Sequence, residues 1–268
     1  MDINISDSTI ACLFFTAIVL ALLPIAAAAF WKMKKKRDAS LISFVIGAAG
    51  FVVSARVLEM IPHIFCIVLD TPASRFITGS TVAYVLYGIA MAGIFEECGR
   101  YIIIRFFMKK RQTRENAVMY GIGHGGVEVW LISLVSVILY ITIALTVNSQ
   151  GASAASETYG AAMISAVAAF GAGSASMMIL ERVICMGIHV ALTVIVFTGV
   201  KTRNLKYLLC AILLHAVFDI FPALYQRGAV SIAVSEIWIA AWLVVTGIFA
   251  WKLYAKAAAP TEEIQAEE

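Results

Sequence analysis

Seven stretches of the chain, 8–31, 41–69, 81–108, 116–147, 175–200, 207–223 and 230–254, are long and apolar enough to cross a lipid bilayer. A hydrocarbon core about 30 Å thick takes roughly 20 apolar residues of α-helix. Inside that core every backbone N–H and C=O must find its partner within the protein, so only helices and closed barrels survive. Unbroken Leu, Ile, Val and Ala runs with little strand alternation select helices over an outer-membrane barrel. Composition agrees: of 268 residues 62% are apolar and 14% charged, against about 45–50% and about 25% in a soluble domain. The expected fold is all-α and polytopic, with seven transmembrane helices.

Charge sets the expected orientation. Lys32, Lys34, Lys35, Lys36 and Arg37 follow the first span; Lys109, Lys110, Arg111 and Arg114 follow the third. Lys201, Arg203 and Lys206 follow the fifth, and Lys252 and Lys256 close the seventh. The opposite loops hold only Arg75 and Arg227. Cationic loops stay in the cytoplasm, so the N-terminus is expected outside and the acidic tail 257–268 inside. The net charge of +3 is small and by itself says nothing about nucleic acid; the partners expected are the lipid bilayer and a membrane substrate, with no nucleic acid. The membrane expected is a plasma membrane of bacterial type.

The chain reads as one integral membrane domain, 1–268, with its motif-bearing helices at about 81–223 and no internal repeat. The start, Met1 to Asp7, is acidic where a signal peptide is basic, and is expected to be kept. Segment 148–174, rich in Gly, Ala and Ser, reads as the one long loop, a tolerant outer connector. Cys12, Cys66, Cys98, Cys185 and Cys210 are scattered in apolar runs without metal-site spacing, so no disulfide framework is expected.

Ionisable residues inside spans cost about 2.5–3.5 kcal/mol each on insertion scales and mark function by default. The third span carries Glu96-Glu97-Cys98-Gly99-Arg100, the fourth His124 and Glu128, the fifth Glu181, Arg182 and His189, and the sixth His215 and Asp219. At about 1.5 Å per residue, Glu96 and His189 lie roughly 16–18 Å, and His124 and His215 roughly 12 Å, from the cytoplasmic ends of their helices. Four helices thus bring one such group each to a common layer. Arg56, Glu59 and His63 share a face of the second span. With Glu181, Arg182 and Asp219 they lie nearer the outer side, and the group reads mainly as buried ion pairing between the second and fifth spans, with a second site or an entry path as the functional alternative.

Successive residues on a helix point about 100° apart, so Glu96 and Glu97 take different roles. Arg100, one turn on, can hold either of them ionised, leaving the other as a general base. His124 and His215 could orient water, stabilise an oxyanion, or bind a metal with a glutamate. Glu128 lies i+4 from His124 and Asp219 i+4 from His215, where a carboxylate can fix an imidazole tautomer. The four glycines at 121, 123, 125 and 126 read first as a helix-packing face, and second as room for a substrate strand beside His124.

At these residues the chain resembles the YhfC-like family of intramembrane metalloproteases. That family is placed within the superfamily of type II CAAX prenyl proteases and bacteriocin-processing enzymes, with PrsW-like proteases and the Aph-1 scaffold. The matching motifs are Glu96-Glu97 with Arg100, Tyr120 with His124, and His215 with Asp219, in the expected order. The segments GIGHGGVE and ERVICMGIH look like the YhfC-like group's own variants. Arg100 departs from the pattern, following the second Glu by two intervening residues rather than three, which leaves open which glutamate it holds. The resemblance implies that Glu96 activates water while Glu97 pairs with Arg100. It also implies that His124 and His215 flank the scissile carbonyl and that Asp219 supports His215. His189 has no counterpart in these motifs and is singled out by depth alone.

The expected function is an intramembrane endopeptidase acting on a membrane protein or lipidated peptide, with Glu96, Glu97, His124 and His215 catalytic. Arg100, Glu128, His189 and Asp219 support them. A metal, if used, would be a divalent ion such as zinc on His124, His215 and Glu96; the zinc-protease signature His-Glu-x-x-His is absent. Two other classes fit the same residues: a non-catalytic scaffold of the Aph-1 type, and a proton-coupled transporter.

Overall fold

A computed structural model describes residues 4–257; the acidic tail beyond them, including Thr261 to Glu268, lies outside the described residues. These residues form helices joined by short turns, with no strand among them. The helices are α1 (Asp7–Lys34), α2 (Leu41–Val68), α3 (Pro72–Gly79), α4 (Thr81–Phe107), α5 (Arg114–Gln150), α6 (Ala152–Tyr159), α7 (Ala161–Ala168), α8 (Ala172–Thr202), α9 (Lys206–Gln226) and α10 (Ile232–Lys256). Seven of them, all but α3, α6 and α7, are long and apolar enough to span a membrane, and they coincide with the seven predicted stretches. The protein is an integral membrane protein. None of its cysteines forms a disulfide.

The chain divides into two compact units. The first takes the chain up to Ala27 and Gly126–Val183. Its core joins Leu13 and Leu20 of α1 to Val137, Ile143 and Val147 of α5 and to Ile164 and Val167 of α7. The Asn148 side chain accepts from the Ile5 amide at 2.8 Å and donates to the Ile5 carbonyl at 2.8 Å. Here the structure corrects the expected loop at 148–174. Most of it is helical, in α6 and α7, with Ala155, Ile164 and Val167 buried. Gly151 (φ 86°) and Gly160 (φ 79°) break the helices in the left-handed region that glycine adopts without penalty.

The second unit takes Ala28–Gly125 and the chain from Ile184 onward. In it α4 packs along α9, α9 along α10, and α2 against α4. Ile188, Leu192, Ile195 and Val196 of α8 are buried in its core, while Ile102, Phe106, Leu209, Leu213, Ile237 and Val244 point outward, as a lipid-facing surface requires. The side chain of Asn116 ties the start of α2 to α5, accepting from the Ser40 amide at 2.8 Å and the Ser43 hydroxyl at 2.9 Å. Helix α2 is wound as a π-helix over Val52–Leu58 and Ile64–Val68.

The glycines of α5 have a packing role. A Cβ at Gly121 would stand 2.6 Å from the Cα of Val190, and one at Gly125 would stand 3.0 Å from the Cα of Met186, both on α8. A Cβ at Gly123 would run into the Phe44 carbonyl of α2. Small residues allow this backbone approach, and it carries His124 to the middle of the second unit.

Candidate active site

Glu96, Glu97, Arg100, His124, His189, His215 and Asp219 all belong to the second unit. Helix α4 supplies the first three, α5 supplies His124, α8 supplies His189, and α9 supplies His215 and Asp219. All but Asp219 are buried, with Glu97, Arg100 and His124 wholly enclosed. Charges in an apolar interior persist only when paired and hydrogen-bonded, and each one here has such a partner.

Arg100 donates to Glu97 Oε2 at 2.8 Å. The i,i+3 partner, not the i,i+4 partner Glu96, therefore takes the guanidinium. Arg100 also reaches His189 Nδ1 at 3.0 Å. Guanidinium groups only donate, so Nδ1 is the accepting nitrogen. The other Glu97 oxygen, Oε1, lies 2.7 Å from His215 Nδ1, and His215 Nε2 lies 3.3 Å from Asp219 Oδ2. His215 thus stands between two carboxylates with both ring nitrogens engaged.

The other glutamate faces a different pair. Glu96 Oε2 lies 2.9 Å from His124 Nε2 and 3.9 Å from His189 Nδ1. The rings of His124 and His189 are 5.0 Å apart, and Phe51 and Tyr120 pack on the His124 ring at 5.2 and 6.0 Å. With Glu96 ionised, His124 Nε2 carries the proton and Nδ1 bears the lone pair. That Nδ1 is buried and has no hydrogen-bond partner.

Glu96, His124 and His189 each offer one ligand atom, and the three atoms lie within 4.8 Å of one another. Zinc holds nitrogen and oxygen donors about 2.0–2.2 Å away, so bound donors stand at most about 4.4 Å apart, close to the spacing here. One carboxylate, two imidazoles and a buried nitrogen without a partner fit a catalytic divalent-metal site with three protein ligands. His189 occupies the place in this group that the sequence reasoning gives to His215.

The remaining residues lie elsewhere. Glu128 belongs to the first unit, where Arg182 bonds it at 3.1 Å and also bonds Glu181. Glu59 pairs with His63 at 3.3 Å, His63 Nδ1 meets the Tyr87 hydroxyl at 2.8 Å, and Arg56 is exposed. Sequence reasoning missed Phe51, whose aromatic ring in an apolar run carries no signal of its own.

Together these features define a polytopic α-helical membrane protein with a buried carboxylate–imidazole centre. The chain belongs to the YhfC intramembrane metalloprotease family, whose sequence profile matches residues 19–244. It is 33% identical over 257 residues to the uncharacterized membrane protein YhfC of Bacillus subtilis (strain 168), covering 94% of this chain and 98% of that one. No solved structure matches the chain.

Proposed function

We propose that the chain is an intramembrane endopeptidase that hydrolyses a peptide bond of a membrane-embedded or membrane-associated polypeptide. The observation that carries this reading is the buried Glu96–His124–His189 group, drawn from three helices in a chain whose family is described as intramembrane metalloproteases. Glu96, His124 and His189 are the residues that would hold a divalent metal, and the His189 nitrogen that accepts from Arg100 would exchange that donor for the ion. Bound there, such an ion would supply Lewis acidity and a lowered water pKa.

The protein's own groups divide the remaining work. Glu97 has both oxygens engaged and is fully enclosed, so the carboxylate that meets the attacking water is Glu96. Through the oxygen that an ion would not take, it accepts the water proton and returns it to the leaving nitrogen, as a general base and acid in turn. His124 donates from Nε2 and holds the Glu96 oxygen in place. Glu97, Arg100, His215 and Asp219 are positioning residues: they neutralise one another and keep His189 and the Glu96 turn of α4 fixed. The two units act in this reading as one membrane domain, with the cationic loops and the chain's C-terminus in the cytoplasm.

The test compares the N-termini of membrane proteins in host cells carrying the wild type or the Glu96→Gln variant at matched expression and thermal stability. New termini found only with the wild type are the expected result and name the substrate. Identical profiles from two folded proteins would overturn the peptidase reading.

A further inference from the structure

A cavity of about 320 Å³ opens beside the site, with Asp219 in its wall. The other walls include His63 of α2, Tyr84, Tyr87 and Gly88 of α4, and Gln226 of α9. All belong to the second unit. The volume falls at the lower end of the range for ligand pockets, and Asp219 is the one carboxylate in its lining. One carboxylate, two phenol rings and an amide face it, and no lysine or arginine lines it.

The one basic ring present is already committed. His63 Nε2 lies 3.3 Å from Glu59 Oε1, and its Nδ1 lies 2.8 Å from the Tyr87 hydroxyl. Asp219 is a quarter exposed, and only Oδ2 is engaged, 3.3 Å from His215. A second carboxylate, Glu59, stands behind His63. Tyr84 already takes a cation on its ring, the Arg227 guanidinium at 5.1 Å. A carboxylate among electron-rich rings is the chemistry that holds an organic cation.

Small residues make the room. A Cβ at Gly88 would meet nothing within 4 Å, so this glycine is not required for helix contact, unlike those of α5. Helix α4 therefore presents an opening flanked by Tyr84 and Tyr87, two turns outward from the Glu96 pair.

We propose that this cavity binds an organic cation on the substrate polypeptide, with Asp219 as its counter-ion. The cation is a lysine ammonium, an arginine guanidinium or a free α-amino group. The proposal rests on the peptidase reading for its biological meaning: a basic group held at Asp219, one hydrogen bond from His215, places the scissile bond near that group.

The test is a thermal-shift measurement on the full-length protein in detergent. The ligands are N-acetyl-lysine amide, N-acetyl-arginine amide and leucine amide, with N-acetyl-norleucine amide as the uncharged control. A cationic compound at about five times its dissociation constant should raise Tm by about 2–4 °C, and the member that does so identifies the source of the charge. The control should leave Tm unchanged. Asp219→Asn should remove the shift, and Gly88→Leu, which fills the cavity from a position free of contacts, should remove it independently. No shift with any cation, an equal shift with the control, or a shift that survives both substitutions would overturn the proposal. The readout needs no turnover. Cation binding without cleavage in cells would therefore retain the pocket and remove the peptidase reading, and cleavage without cation binding would do the reverse.

Discussion

His215 Nδ1 lies 2.7 Å from Glu97 Oε1, joining α9 to α4 across 118 residues of sequence. This contact gives the two neighbouring glutamates different surroundings. Glu97 is closed on both sides, by His215 and by Arg100, whereas Glu96 turns toward His124 and His189.

Removing one member of a buried ion pair leaves the other charge unsatisfied, at a cost of about 3–5 kcal/mol. Arg100→Met should therefore destabilise the protein by that order. The double variant Arg100→Met/Glu97→Met should recover much of the loss, since neither charge then remains. Denaturant titration in mixed micelles measures both, and a single variant as stable as the wild type would contradict the pairing.

Metal content separates the two histidines on α8 and α9. Purified wild type should carry about one divalent ion per chain, and His189→Ala should lose it. His215→Gln should retain it, because His215 lies between carboxylates and outside the ligand group. Elemental analysis of the three proteins, each shown to be folded, decides the matter. Loss in His215→Gln with retention in His189→Ala would reverse the assignment.

Once a substrate is in hand, Glu96→Gln should lower its cleavage rate by about 10²–10⁴-fold, the contribution of a positioned general base. The protein should unfold at nearly the wild-type temperature, because glutamine can still accept from His124. A variant that cleaves at the wild-type rate would remove Glu96 from the chemistry.

The glycine face of α5 gives a packing contrast. Gly121→Val places atoms against the backbone of Val190 and should cost about 1–3 kcal/mol through overpacking. Gly88→Ala meets no neighbour and should leave stability unchanged or slightly raised through helix propensity. Thermal unfolding of the pair in one detergent is the measurement. Equal effects would show that α5 and α8 are not held backbone to backbone.

The seven spans were legible because bilayer thickness and hydropathy constrain length directly, and their ends fall within a few residues of the structure's. Segment 148–174 was not, because α6 and α7 are short and rich in Ala and Ser, too weakly apolar to separate from a loop. Their breaks, at Gly151 and Gly160, were visible as glycines but not as left-handed ones. At the site, depth along each helix placed Glu96, His124, His189 and His215 in one layer. Rotation about each helix was hidden, and rotation decides that His189, not His215, stands beside Glu96 and His124. Within α4, spacing allowed Arg100 either glutamate, and the surrounding helices select Glu97.

Helix α2 carries one of its π-wound stretches, Val52–Leu58, between Phe51, which packs on His124, and His63, which walls the cavity. A π turn holds one residue more than an α turn. Such a stretch can shed a single residue by reverting to the ordinary helix, without breaking its chain of hydrogen bonds. The shed residue would be the extra one, so Glu59 and His63 would keep nearly their present facing, with His63 still toward Tyr87, whereas the same loss from an ordinary α-helix would turn every residue beyond it by about 100°. A one-residue deletion within 52–58 would thus leave both the span and the pocket wall in place, so in this fold α2 can change its length there without re-facing the groups beyond it.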